Sequence, residues 1–117
     1  MIYSGSLKKN RDFQRVYKQG TSYANRLLVM YILENGTDEN RLGISVSKKV
    51  GNSVVRHRVA RLIRESYRLN EGFFQRGLDI VVVARVRSAF AGYAELERDL
   101  LRLLDKLGVR EKGEKRR

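Results

Sequence analysis

The sequence predicts an α+β fold: a single two-layer sandwich whose elements run α-β-β-α-β-α. Three observations predict it. Apolar residues recur at helical spacing in three separated segments, the spacing that lines one face of a helix. Between those segments lie shorter stretches that alternate or are continuously apolar, as half-buried and fully buried strands do. Finally, 117 residues with 42% hydrophobic content are enough for one core and too few for two domains.

Each element has its own warrant. Asn10 to Gln19 reads as a short helix with Phe13, Val16 and Tyr17 on one face, Asn10 as its N-cap and Gly20 where a C-cap is expected. Arg26 to Leu33 reads as a strand, followed by the turn-rich Asn35-Gly36-Thr37-Asp38-Glu39-Asn40 and a second strand, Arg41 to Ser47. In the second strand Leu42, Ile44 and Val46 point one way, and Arg41, Gly43, Ser45 and Ser47 the other. One sheet face is therefore core and the other polar and open. Leu28, Met30 and Ile32 join the core face, which leaves Val29 and Tyr31 on the open one. A helix beginning after Gly51 buries Val55, Val59, Leu62, Ile63 and Ser66, which fall within about 100° of one another. Leu78 to Ala84, apolar on both sides except for Asp79, is a central strand. Tyr93 to Leu107 closes the fold as an amphipathic helix with Leu96, Leu100, Leu103, Leu104 and Leu107 as its stripe. The helices are expected on one face of the sheet. Residues 1–109 form the predicted domain, and residues 110–117, which lack apolar side chains, read as a basic disordered tail.

Composition narrows the function. There is no cysteine, so disulfides and thiolate metal sites are excluded. No stretch approaches a membrane span or a signal sequence, and a cytoplasmic protein without a membrane partner is expected. Lys and Arg number 25 against 13 acidic residues, a net charge of +12. That excess points to a polyanion, because each neutralised phosphate releases condensed counterions.

The charge is concentrated in one segment. His57, Arg61, Arg64 and Arg68 recur at i, i+4, i+7 and i+11 opposite the apolar stripe of the second helix, Arg56 and Arg58 flank them, and Lys48 and Lys49 precede it. A merely solvated helix face interleaves acids at i+4, and here only Glu65 is available. Arginine suits phosphate because its planar guanidinium bonds two oxygens at once.

The same segment carries a resemblance. Lys48-Lys49-Val50-Gly51-Asn52-Ser53-Val54-Val55-Arg56-His57-Arg58-Val59-Ala60-Arg61-Leu62-Ile63-Arg64 resembles the signature of the bacterial ribonuclease P protein family, named for an Arg-Asn-Arg core. His57 stands where the asparagine is usual, and Ala60 where lysine is usual. Leu7 to Gly20, Arg41 to Ser47 and Asp79 to Arg85 are similar to further parts of the family. The resemblance implies a left-handed β-α-β crossover, against the ordinary right-handed rule. It also implies a protein subunit that binds a catalytic RNA and the 5′ leader of precursor tRNA. The implied leader site comprises Phe13, Tyr17, Tyr31 and Ser45, with Arg56 and His57 at its rim. The implied RNA-docking set is Lys48, Lys49, Arg56, Arg58, Arg61, Arg64 and Arg68.

Nothing in the chain reads as a catalytic residue or a metal ligand set. His57 is the only histidine and has no partner for proton transfer or nucleophilic work. Phosphodiester hydrolysis is therefore expected from the RNA subunit with magnesium bound mainly by that RNA, and the protein alone is expected to be inactive. A structural RNA-binding protein of ribosomal type is the alternative. A helix-turn-helix reader of DNA is disfavoured, because a predicted strand precedes the arginine helix.

Overall fold

The most apolar strand of the sequence lies where its composition sends it, at the centre of a five-stranded sheet. The computed structural model describes residues 4–115. Its elements are β1 (Ser4–Ser6), α1 (Asn10–Gln19), β2 (Thr21–Ala24), β3 (Leu28–Glu34), β4 (Asn40–Ser45), α2 (Ser53–Asn70), β5 (Leu78–Ala84) and α3 (Tyr93–Leu107), with 3-10 turns at Glu71–Phe73 and Val86–Phe90. The strands lie in the order β1-β4-β5-β3-β2. Pairing is parallel for β1 with β4 and β4 with β5, and antiparallel elsewhere. The α+β architecture and the order of the predicted elements hold, and α2 makes the crossover between parallel neighbours.

The structure differs from expectation in four places. Two strands were not predicted. β1 is Ser-Gly-Ser and β2 is wholly exposed, so neither has an apolar pattern; each exists because an edge strand satisfies backbone groups of its neighbour. Secondly, the turn-rich Asn35–Asn40 does not close a hairpin: β5 lies between β3 and β4, and its two apolar faces are covered by α1 on one side and by α2 and α3 on the other. Thirdly, the helices do not all share one face. α2 and α3 enclose the larger core with Leu28, Met30, Ile80 and Val82, while α1 lies on the opposite face over Val81. Fourthly, Asn10 is inside α1 rather than its cap: Lys9 occupies that position with extended backbone and no side-chain hydrogen bond. Gly20 does end α1, its N–H donating to the Val16 carbonyl. Glycine is required there because a Cβ would fall 2.6 Å from both the Val16 and Ile32 carbonyl oxygens.

In the larger core Met30, Val59, Ile80, Val82, Leu96 and Leu100 are fully enclosed, each contributing roughly 1.5–3 kcal/mol by leaving water. Tyr67, absent from the predicted stripe of α2, is buried with them. Its hydroxyl meets Ser4 Oγ at 2.7 Å, tying β1 to α2. The described part of the segment from residue 110 makes contacts with the elements before it. Glu111 N–H donates to the Phe73 carbonyl at 2.6 Å, the Arg110 guanidinium lies 4.8 Å from the centroid of the Phe73 ring, and Lys115 Nζ donates to Glu97 at 2.9 Å.

Candidate nucleic-acid interface

The arginine helix is built from its first turn. Asn52 caps α2, its side-chain oxygen accepting from Val55 N–H at 3.0 Å, which satisfies one donor left free by helix geometry. The face opposite the core then carries His57, Arg61 and Arg64, all exposed, with Lys48 and Lys49 exposed on the preceding loop. Two other members of the docking set are turned to different work. Arg58 donates to the Ala89 and Ala91 carbonyls at 3.2 and 2.6 Å, clipping the Val86–Phe90 turn onto α2. Arg68 is held by Glu65, its Nε 3.0 Å from the carboxylate. Arg56 differs again, for its Nε is buried with no hydrogen-bond partner among the described residues.

On the other side of the sheet, strand register decides which side chains share a row. Gly43, Val81, Tyr31 and Ser22 lie side by side, and the next row is Ser45, Val83, Val29 and Ala24. α1 covers part of the first row and leaves Ser45 and Val29 partly open. Three of the predicted leader residues are in contact. Tyr17 and Tyr31 meet edge to face with centroids 4.9 Å apart, and Phe13 and Tyr17 are 6.4 Å apart. All three rings are partly exposed, so they form an aromatic ledge that packs on the sheet and also faces outward. Arg56 and His57 stand on a helix that packs against the opposite face, and no hydrogen bond or ring contact joins them to the ledge among the described residues.

The residue that does bring the two features together is Arg64. It lines a small cavity of about 250 Å³ with Ser6, Leu7, Lys8 and Phe13 at the β1–β4 edge. The link depends on β1, the strand with no sequence signal.

Two further residues shape the ledge. Gly43 lies directly under Phe13, and a Cβ there would stand 2.6 Å from Phe13 Cζ. Gly43→Ala should therefore lift the ring, cost about 1 kcal/mol in folding stability as overpacking does, and weaken any ligand held on the ledge. Thermal unfolding beside ligand titration checks both; unchanged values would mean that Phe13 relaxes at no cost. Asp79 holds α1 in place from below. Its carboxylate accepts from Arg41 Nε and Nη2 at 2.9 and 2.7 Å, from Asn35 at 3.0 Å and from Arg15 of α1 at 3.1 Å. Burial alone would raise its pKa, but these donors outweigh burial and hold it below the ordinary carboxylate value. The only signal in the sequence was one acid inside an apolar strand.

Comparison with known proteins agrees with this geometry. The profile of the family described as Ribonuclease P matches residues 3–108. The ribonuclease P protein component of Lachnoclostridium phytofermentans is 59% identical over 100 residues, covering 86% of each chain. That of Alkaliphilus metalliredigens is 53% identical over 92% of this chain and 96% of the relative. Among solved structures, the Staphylococcus aureus RNase P protein superposes with a TM-score of 0.83 at 40% identity, over 93% of this chain and 98% of that one. The Thermotoga maritima protein gives 0.80 at 34%, over 86% and 96%. Fold and site together define a small, strongly basic α+β protein with an RNA partner. The chain belongs to the ribonuclease P protein family.

Proposed function

We propose that this subunit docks on the ribonuclease P RNA through the exposed face of α2, with Arg61, Arg64, Lys48 and Lys49 on phosphates, and holds the 5′ leader of precursor tRNA on the Phe13–Tyr17–Tyr31 ledge. The observation that carries this reading is the cavity shared by Phe13 and Arg64, which sets a stacking surface beside a phosphate-binding helix. Unpaired bases bind by stacking on rings in a basic groove. Mature tRNA has no leader, so the ledge lets the complex tell precursor from product. Arg56 and His57 serve as rim contacts and Ser45 as a polar group on the same face.

Hydrolysis itself falls to the RNA. Among the described residues no three His, Cys, Asp or Glu side chains converge on a point, and the sole histidine is exposed on the arginine face. The described residues offer no magnesium cage, and the holoenzyme's magnesium is assigned to RNA oxygens, which suit that ion. No helix among the described residues is long and apolar enough to cross a membrane, and the expected location is the cytoplasm.

Reconstitution tests the division of labour. Protein with a bacterial ribonuclease P RNA should cleave precursor tRNA at low magnesium, and neither alone should. In Arg61→Ala and Arg64→Ala affinity for that RNA should fall, and each should flatten the salt dependence by about one ion. Cleavage by RNA-free protein, or unchanged affinity in both variants, would overturn the proposal.

A further inference from the structure

A second basic surface lies at the far edge of the sheet. α2 packs against β4 and β5, whereas α3 packs against β3 and β2. On α3, Arg98, Arg102 and Lys106 recur at i, i+4 and i+8 and are all exposed. They share a groove of about 460 Å³ with Tyr23, Asn25 and Arg26 from the β2–β3 hairpin. Tyr23 is 49% exposed, although an aromatic residue on an edge strand gains nothing from facing water.

Of the acids of α3, Asp99 lines this groove but is buried. Glu97 accepts from Tyr93, Asn70 and Lys115. Asp105 meets Arg110. Asp99 pairs with Arg98, and Glu95 meets Arg26. Arg102 and Lys106 are left with no acidic partner among the described residues, next to the Tyr23 ring. The groove is also stiff, since the Asn25 side chain donates to the Asp99 carbonyl at 2.9 Å and accepts from Leu28 N–H at 3.1 Å. A ring and two unpaired cations held on a fixed frame match a nucleobase and its flanking phosphates.

We infer that the groove between β2 and α3 is a second site for unpaired RNA, separate from both the leader ledge and the α2 face. Its occupant is a short single-stranded segment, with one base on Tyr23 and adjacent phosphates on Arg102 and Lys106. With α2 engaged at the other edge, the subunit would bridge two RNA segments.

Amide chemical shifts of the full-length protein, titrated with hexauridylate, test this directly. Residues 23–26 and 98–106 should shift together, in addition to any response at the ledge. Arg102→Glu with Lys106→Glu should abolish the β2–α3 response and leave the ledge response intact. Tyr23→Ala should weaken it about tenfold, within the range of one stacked base, and Tyr23→Phe should restore it. A silent β2–α3 groove at saturation of the ledge would overturn the inference while leaving the leader site standing. So would equal shifts with polyglutamate, or a stronger response to duplex RNA than to the single strand.

Discussion

Replacing Asp79 with alanine should cost about 3 kcal/mol of folding stability, the lower end for breaking a buried ionic cluster. The carboxylate is 1% exposed, while the Arg41 and Arg15 side chains are 37% and 41% exposed. The arginines can therefore turn to water once it is gone, which moderates the loss. Urea unfolding should show a lower midpoint with unchanged slope. Arg15→Ala should cost less, because both Arg41 bonds remain. The acid dependence carries the same signature. Asp79 titrates below its ordinary value in the folded protein, so its contribution is complete above about pH 4 and is lost as pH falls through the folded value. Asp79→Asn should thus be less stable at neutral pH and lose less stability on acidification over that window. Parallel acid curves for the two proteins would show that the cluster contributes no net stability.

Tyr31→Ala should weaken precursor tRNA binding to the reconstituted enzyme by roughly 1–3 kcal/mol, the range for a stacked base, and leave mature tRNA nearly unaffected. Both ligands carry the same helical phosphates, so general electrostatics cancel in the comparison. Tyr31→Phe should keep most of the precursor affinity, since the ring and its edge contact with Tyr17 survive. Because Tyr17 loses a neighbour 4.9 Å away in the alanine variant, folding stability must be measured in parallel. Equal losses for the two tRNAs would assign Tyr31 to the fold or the RNA interface and remove the leader from the ledge.

These expectations show what could be read from residues alone. α1, β5 and α3 appear with the predicted ends, because helical and strand periodicity are strong where one face is buried and the other is not. The face of Tyr31 was legible from strand period: it falls between Met30 and Ile32, which with Leu28 point to the core, so its ring points the other way. Contacts made by flanking arginines were not legible. Arg56 and Arg58 read alike in sequence as flanking residues, yet Arg58 clips a turn while the Arg56 Nε is buried without a hydrogen-bond partner among the described residues. The difference lies in where the Val86–Phe90 turn returns to α2, a tertiary fact. β1 and β2 were hidden because short polar edge strands take their conformation from a neighbour's free backbone groups. The groove beside α3 was missed with β2, for its tyrosine belongs to that strand.

The insertion of β5 between β3 and β4 has a consequence for how the protein comes into being. A growing chain makes the two flanking strands first, ending at Ser45, and must keep a gap between them for a partner that begins only at Leu78. Until Leu78–Ala84 emerges, β3 has only β2 on one side, β4 has only the three residues of β1, and neither has its inner edge satisfied. Exposed strand edges invite pairing with other chains. The arginine segment is made during this interval, so the unfinished chain already carries a cationic stretch that repels its copies. The same residues proposed to grip RNA in the finished subunit would then guard it during synthesis, before there is a sheet for them to stand on.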